Sequence, residues 1–386
     1  MSSPSAEPLF SATNEDPAAE PEFTTGILPS QGIREAVARG EIRAVRDITE
    51  SQIQPASLDL RLGAEAYRMR ASFLPGEQAT VGQKLDSFSM HKIDLAGGAV
   101  LEKDCVYLVP LMESLRLKHR TSAIANPKSS TGRLDIFARV ITDHGIEFDQ
   151  IPAGYRGPLW AEISPRSFSV LVGVGARLLQ LRIKRGSPPA SDIALRRLHE
   201  QVRLIDVEAG QERIKKGMLA VTVDTQGRRN GDLVGYRAKK NAGLIDVEKV
   251  HHYDPADFWE PVYSHRGQGI ILDPDDFHIL ASKEAVTVPA DHAAEMVAYD
   301  TLVGEFRVHY AGFFDPGFGF AEAGGEGARA VLEIRSHDVP FTLEDGQIVG
   351  RLLYERLTAK PDKLYGRDIG SNYQRQGLAL SKQFKR

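Results

Sequence analysis

The chain has 386 residues, 42% of them hydrophobic, and 48 basic against 52 acidic residues give a formal net charge of −4. This length allows a full core and favours two domains. The near-balanced charge excludes a whole-molecule field that would draw the protein to nucleic acid or to an anionic membrane, so we expect neither partner. The single cysteine, Cys105, excludes an internal disulfide and the Cys-x-x-Cys pairs of zinc sites.

The N-terminal residues 1–24 are rich in Ser, Pro, Ala and Glu and predict a disordered leader, because such a segment buries too little apolar surface to offset its ordering entropy. They lack the basic region and apolar segment of a secretory signal. No stretch of the chain approaches the roughly 18 apolar residues that a membrane span needs. We therefore expect a soluble, cytoplasmic protein.

Two short helices are predicted from apolar residues at helical spacing. The first covers Ser30–Ala38, with Ser30 as the candidate N-cap and Gly40 after its end. The second follows Pro188 and Pro189 and begins at Ser191.

The rest of the chain consists of short apolar runs separated by Gly, Pro, Asp and Asn, which predicts a mainly β fold with a few short helices. Val106–Val109 and Ile270–Leu272 are examples of these runs. The predicted organisation is a leader at 1–24, a β domain at 25–183, a helical linker at 184–214, a second β domain at 215–357, and a polar tail at 358–386.

Comparison of the chain with itself indicates a tandem duplication of one β domain. Val100–Leu108 matches Ile271–Ile279 at an offset of 171 (271 − 100 = 171). The same offset places Trp160–Ile163 on Val331–Ile334, so that Glu162 corresponds to Glu333 (333 − 162 = 171).

The segment from Pro127 to Leu134 is a candidate phosphate-binding loop. It carries two cations, Lys128 and Arg133, three hydroxyl side chains and a glycine in succession. Such a loop can direct several backbone N–H groups and side-chain donors at one polyanion. A polar surface turn is the alternative for this segment taken by itself.

The order of several motifs resembles that of the dCTP deaminases, which are trimeric relatives of the dUTPases. In the first half the motifs are Ile53–Gly63, the loop residues 128–133 and Glu162. In the second half, Phe314–Phe318 resembles the family's base-binding hairpin and Val331–Glu333 its catalytic segment. Tyr373 to Gly377, followed by Ser381, is similar to the family's closing segment, which folds over the nucleotide.

The resemblance implies two tandem dUTPase-like distorted β-barrel domains. It also implies hydrolytic removal of the 4-amino group of dCTP, which gives dUTP and ammonia and supplies dUTP for dUMP and dTTP synthesis. Attack of water at C4 needs a base and then a proton for the departing nitrogen, and one carboxylate in a dry pocket can supply both. The candidates are Glu333 and Glu162, because their apolar neighbours would desolvate the carboxylate and raise its pKa. An outward-facing strand residue is the alternative reading of Glu333.

The two halves differ from the family pattern in complementary ways. The first half keeps the loop cations, but its hairpin, Ile151–Tyr155, lacks the aspartate. The second half keeps Asp315 and Glu333, whereas the stretch that matches the loop, Val297–Leu302, has no cation and one anion. We therefore expect one composite site, built from the loop of one half and the carboxylates and tail of the other.

The family's geometry assigns the following roles. Glu333 or Glu162, with Ser129 and Arg133, would act on the water and on the charge that develops at C4. Asp315 would accept a hydrogen bond from the sugar or the base. The predicted nucleotide-binding residues are Lys128, Ser129, Ser130, Thr131, Gly132, Arg133, Asp315, Val331, Tyr373 and Gln376. His144, His251 and His252 have no repeated spacing and are expected to be structural or solvated.

Alternatives to a dCTP deaminase are a dUTPase, a bifunctional enzyme that also removes pyrophosphate, and an inactive nucleotide-binding module. The sequence leaves open whether the chain forms a homo-oligomer. No protein-held cofactor or metal is expected, and Mg²⁺ would be carried through the triphosphate, since that ion prefers phosphate oxygens and water.

The absence of a His-x-Glu motif and of any second cysteine predicts that deamination of dCTP needs no transition metal held by the protein. Exhaustive chelation followed by excess Mg²⁺ should leave the rate of dCTP deamination unchanged. Metal analysis of the same active sample checks the reason, because one tightly bound zinc per chain would contradict it.

Overall fold

The structure is a computed structural model, and it describes residues 23–186, 190–265, 267–298, 306–309, 312–336, 339–366 and 377–386. All but the last two residues of the predicted leader lie outside these ranges.

Helices in the described residues are short: α1 (Ser30–Ala38), α2 (Val81–Phe88), α3 (Ser129–Gly132), α4 (Asp192–Gln201) and α5 (Pro255–Phe258). The strands of the first half are β1 (Gly26–Ile27), β2 (Ile42–Ala44), β3 (Leu58–Leu60), β4 (Glu65–Met69), β5 (Ser89–Asp94), β6 (Ala99–Leu101), β7 (Val106–Arg116), β8 (Thr121–Pro127), β9 (Ile136–Thr142), β10 (Gln150–Ile151), β11 (Arg156–Pro165), β12 (Val170–Val172) and β13 (Leu179–Arg185). Those of the second half are β14 (Ile214–Lys215), β15 (Met218–Thr222), β16 (Leu233–Ala238), β17 (Ile245–Asp246), β18 (Trp259–Tyr263), β19 (Ile270–Leu272), β20 (Phe277–Val286), β21 (His292–Ala298), β22 (Phe306–His309), β23 (Phe313–Phe314), β24 (Ala328–Ser336), β25 (Phe341–Leu343) and β26 (Ile348–Arg356).

The predicted mainly β fold with a few short helices is confirmed, and α1 has the predicted bounds. Its predicted N-cap is wrong. Pro29 occupies the cap position without a side-chain hydrogen bond, and the Ser30 hydroxyl donates to the carboxylate of Asp362 instead. For α4 the cap is as predicted, since the Ser191 hydroxyl accepts a hydrogen bond from the Ala194 N–H. Strand β13 continues to Arg185, into the stretch expected to be linker.

The duplication is confirmed by the registers of the sheets. Strand β11 lies between β7 and β9, and β24 lies in the same way between β20 and β22. Glu162 pairs with Leu108 in the first sheet and Glu333 pairs with Ile279 in the second, which is the same pair displaced by 171 residues (333 − 162 and 279 − 108).

Two further pairs of sheets repeat with the same displacement. Leu181 on β13 pairs with Ala125 on β8, and Leu352 on β26 pairs with Met296 on β21. The β12 and β6 pair is repeated by β25 and β19. Because hydrogen-bond register fixes which face each side chain occupies, equivalent residues of the two halves lie on the same face of equivalent strands.

The two halves share a core. Strand β17 of the second half extends the β12 and β6 sheet of the first half by parallel pairing. Next to it, Trp259 packs edge-to-face on Phe168 of the first half at 5.4 Å between ring centroids, and on Phe384 of the tail at 5.9 Å. These contacts anchor the end of the chain between the halves, close to α3 and β24.

None of the helices in the described ranges is long and apolar enough to cross a membrane.

Candidate active site

The predicted phosphate loop folds as the single turn α3, between β8 and β9, with Lys128 at its N-cap in an extended conformation. The N–H groups of Thr131 and Gly132 donate to the Lys128 carbonyl at 2.8 and 3.0 Å, and the Arg133 N–H donates to the Ser129 carbonyl at 3.0 Å. Forming the turn therefore uses backbone donors that we expected to face a ligand. Within the described residues, the N–H groups of Ser129 and Ser130 remain available.

The loop side chains divide into structural and available groups. The Thr131 hydroxyl donates to the Leu178 carbonyl at 2.8 Å, so it stabilises the loop. The Lys128 ammonium forms an ion pair with Asp59, a residue of the Ile53–Gly63 motif. Ser129 is half-buried, and its hydroxyl has no hydrogen-bond partner among the described residues. The Ser130 hydroxyl likewise has no hydrogen-bond partner among the described residues, so both serine hydroxyls of the loop are available to orient a water or a substrate.

A cavity of about 300 Å³ opens beside the loop. Its charged lining consists of Lys128, Arg177 and Lys382 with the carboxylates Asp59 and Glu248. Burial, and then the charge of Lys128, lowers the pKa of Lys382. Arg177 and Lys382 were not predicted from the sequence. Lys382 could have been predicted, because it directly follows Ser381 of the closing segment, but no sequence signal points to Arg177.

Glu333 lies on β24 with 6% of its surface exposed, and the structure brings it to the loop of the other half. The Arg133 Nε atom is 3.9 Å from its Oε1 atom. Burial raises the pKa of Glu333 to about 8, while the Arg133 charge opposes that rise. The two residues predicted to do the central chemistry therefore meet across the interface between the halves.

Asp315 follows β23 and is also buried, where it meets an arginine of the first half. The Arg182 Nη2 atom is 3.4 Å from its Oδ1 atom, and Arg182 also donates to the Ala294 carbonyl at 2.9 Å. Burial raises the pKa of Asp315 to about 6, with Arg182 opposing. We missed Arg182, although an arginine inside the apolar run Leu179–Ile183 was a usable signal.

Glu162, the other candidate base, is buried but has a partner within its own half. Its carboxylate forms an ion pair with Arg139 on the neighbouring strand β9. The Arg139 guanidinium lies 3.5 Å from the centroid of the Phe148 ring. Within the described ranges the Glu162 side chain makes no hydrogen bond or ion pair with the loop 128–133, so the structure does not bring these two predicted elements together.

The remaining predicted residues lie as follows. Val331 is buried on β24 in the shared core, and Gly132 is buried inside α3. Tyr373 and Gln376, and most of the stretch Val297–Leu302, lie outside the described residues.

The described end of the tail covers the loop. The Ser381 hydroxyl donates to the Ser130 carbonyl at 2.8 Å, and the Arg133 Nη1 atom donates to the Ala379 carbonyl at 3.3 Å. Among the described residues no group of three His, Cys, Asp or Glu side chains is placed to hold a metal ion.

Comparison with known families decides the relationship. Residues 24–187 match the family model described as 2'-deoxycytidine 5'-triphosphate deaminase (DCD) N-terminal domain, and residues 191–384 match the model of its C-terminal domain. The chain belongs to the dCTP deaminase family.

Individual members of this family are similar over different shares of the chain. A crystal structure of 2'-deoxycytidine 5'-triphosphate deaminase from Agrobacterium tumefaciens is 55% identical, with a TM-score of 0.82 over 86% of this chain and 99% of that one. A protein of Pseudarthrobacter chlorophenolicus named dCTP deaminase, dUMP-forming, is 30% identical over 37% of this chain and 75% of its own length. A protein of the same name from Halobacterium salinarum is 35% identical over 28% of this chain and 54% of its own.

The burial of Glu333 predicts a pH-dependent stability difference for Glu333→Gln. Between its ordinary pKa of 4.5 and its folded pKa of about 8, Glu333 keeps a proton in the folded state that it loses on unfolding. The wild-type free energy of unfolding therefore falls as pH rises through this range. The neutral Gln avoids this loss, so Glu333→Gln should be more stable than wild type at pH 9 by at least about 1 kcal/mol.

Thermal unfolding from pH 4 to 9 checks this expectation. The difference between the two proteins should shrink towards pH 4.5, where the carboxyl is neutral in both states. Exposed Glu147→Gln is the matched control and should follow wild type throughout. A Glu333→Gln protein that is less stable than wild type at pH 9 would contradict the effect of burial on this carboxyl.

Proposed function

We propose that the chain hydrolyses dCTP to dUTP and ammonia at one composite site, in which Glu333 takes a proton from water and returns it to the leaving nitrogen. The main support for the proposal is the distance of 3.9 Å between the buried Arg133 Nε atom of the first half and the Glu333 Oε1 atom of the second half. It joins the two parts that the halves retain separately, in a chain whose family is named for this reaction.

The chemistry follows from the protonation of Glu333. General acid–base catalysis is most efficient when the pKa of the catalytic group lies near the working pH, and burial brings that of Glu333 to about 8. Its carboxylate removes a proton from water as the oxygen bonds to C4 of cytosine. The same proton then passes to the amino nitrogen as the C4–N bond breaks, and the remaining hydroxyl proton moves from the C4 oxygen to N3 to give uracil. Arg133 stabilises the negative charge that develops on the ring, and the Ser129 hydroxyl orients the water.

The triphosphate fits the cavity beside the loop. Lys128, Arg177 and Lys382 converge there, and charge-assisted contacts from such cations suit phosphate oxygens. Mg²⁺ would enter with the triphosphate, to which it binds in preference to an all-protein cage. Asp315, held by Arg182, would accept a hydrogen bond from the sugar or base. Tyr373 and Gln376 would close the site from the tail.

The same proposal assigns each half the architecture of a dUTPase-like distorted barrel. The repeated registers at an offset of 171 support it, because they give both halves the same strand order around Glu162 and Glu333. In the first half Arg139 forms an ion pair with the carboxylate of Glu162, so this carboxylate is not available as a base. The proposal therefore has one complete site per chain.

A bifunctional enzyme that releases dUMP is the second candidate. Its support is the name of the curated relatives, dCTP deaminase, dUMP-forming. That reaction needs a second activated water at the α-phosphate, and Asp59 and Glu248 are the carboxylates that line the proposed phosphate cavity. An inactive module is disfavoured, because Arg133 and Glu333 are both retained and in proximity.

Exchange of each candidate base tests the mechanism. Glu333→Gln should lose ~10²-fold or more in the rate of dCTP deamination and still bind dCTP, because Gln can neither accept nor return the proton. Glu162→Gln is the matched control, from the equivalent position of the other half, and should keep most of the activity.

Anion-exchange chromatography of the products measures both rates and separates dUTP from dUMP. Near-normal turnover by Glu333→Gln, combined with an inactive Glu162→Gln, would move the reaction to the first half and exclude the composite site. A product that is entirely dUMP in the wild type would favour the bifunctional candidate.

A separate prediction follows from the assignment of phosphate binding to the loop of the first half alone. Arg133→Ala should cost ~2 to 5 kcal/mol in transition-state stabilisation, because it removes a cation from a desolvated site. Asp300→Ala, in the corresponding stretch of the second half, should cost almost nothing. Steady-state kinetics measures both costs. Calorimetric titration with a non-hydrolysable dCTP analogue should count one site per chain, and two equivalent sites would refute the argument from complementary loss.

A further inference from the structure

A second pair of opposite charges lies beside Arg133 and Glu333. On β24, Glu333 and Arg335 are two residues apart and therefore point to the same face of the strand. Opposite them, Arg133 ends the α3 turn and Asp135 lies two residues further on. A cation followed by an anion in the first half thus faces an anion followed by a cation in the second half.

The Asp135 and Arg335 pair is buried and well held. Arg335 Nη2 donates to the Asp135 Oδ2 atom, and the Ser167 hydroxyl donates to the same oxygen at 2.6 Å. Asp135 is 1% exposed and Arg335 5%. On the main chain, the Asp135 N–H donates to the Gly132 carbonyl and its carbonyl accepts the Arg166 N–H, both at 2.8 Å. The carboxylate thus joins α3 directly to the strand that carries Glu333.

We propose that Asp135 and Arg335 are positioning residues for deamination: their ion pair fixes the alignment of α3 on β24 that places Arg133 against Glu333. This inference rests on the proposed function of Glu333 as the base. A shift of β24 by two residues would bring Arg133 opposite Arg335 and leave Asp135 without its cation. Uncompensated buried charge is strongly unfavourable, so the pair selects one alignment of the two halves.

The same pair sets part of the electrostatic environment of Glu333. The charged groups that face this carboxyl from α3 and its following turn are Arg133 and Asp135. From β20 its backbone neighbour is Ile279, and from β22 it is His309. The Asp135 charge raises the pKa of Glu333, against Arg133, which lowers it. Neutralising Asp135 removes that repulsion and leaves Arg335 uncompensated nearby, and both changes lower the pKa of Glu333.

Asp135→Asn is the test variant because it removes the charge and keeps the shape. Asp135 has a φ of 55°, in the left-handed region, which Asn tolerates as well as Asp does. Arg335→Lys is the second variant: it keeps the cation but loses the planar guanidinium that reaches Asp135, Ser167 and the Asp275 carbonyl.

Glu355→Gln is the matched control. Glu355 forms another ion pair between the halves, with Lys184 at 2.6 Å. Among the described residues its side chain makes no hydrogen bond or ion pair with Glu333 or α3. It measures what loss of an interface ion pair does by itself.

The experiment is a pH profile of kcat and kcat/KM for dCTP in wild type and the three variants, with thermal midpoints measured alongside. Asp135→Asn should lower kcat by about tenfold with a smaller change in KM, because a misplaced Arg133 costs transition-state stabilisation. The acid limb of its pH profile should move to lower pH, because the pKa of Glu333 is lowered. Arg335→Lys should lower kcat without moving the acid limb, and Glu355→Gln should change neither.

Two results would overturn the inference. The first is an Asp135→Asn protein that keeps the wild-type kcat and acid limb and whose lower thermal midpoint matches that of Glu355→Gln. The Asp135 and Arg335 pair would then be structural only. The second result applies if Asp135→Asn does not fold, and it is a wild-type kcat in Arg335→Lys. A wild-type chain that does not deaminate dCTP would instead refute the proposed function, and the inference with it.

Discussion

The burial of the Glu333 carboxylate beside Arg133 is the interaction on which the rest of the site depends. Neither half provides it alone, since the carboxylate comes from β24 and the guanidinium from the end of α3. Removing the carboxyl from water raises its pKa to about 8, which suits the proposed role of Glu333 as proton acceptor and donor near neutral pH. The packing of the two halves therefore creates the environment that raises the pKa of Glu333.

The duplication allows Glu333 to be compared with Glu162 in the other half. Glu162 and Glu333 occupy equivalent positions in equivalent sheets, with the same pairing on one side. Their partners differ in origin: Arg139 comes from the strand next to Glu162, whereas Arg133 reaches Glu333 from the other half. The Glu162 carboxylate is thus paired within its own sheet, whereas the Glu333 carboxylate is approached from across the interface.

Several further contacts join the halves near Glu333. The Asp135 and Arg335 pair, the Arg182 and Asp315 pair and the aromatic packing of Trp259 on Phe168 all join the halves close to the site. The end of the tail is held in the same region by Phe384 and by the Ser381 hydroxyl. Loss of this packing would expose Glu333 to water and return its pKa towards the ordinary value.

The sequence by itself determined the elements whose causes are local. Helical spacing predicted α1 and α4, short apolar runs predicted the β-rich class, and self-similarity at 171 residues predicted the duplication. Residue type and spacing predicted the loop, and the resemblance to the dCTP deaminases pointed to both carboxylates. Only the tertiary structure decided which charges meet. Asp135 and Arg335 are 200 residues apart, and Ser30, a good local N-cap, instead binds Asp362. Local patterns cannot encode such partners, since they depend on how sheets that are distant in the sequence pack against each other.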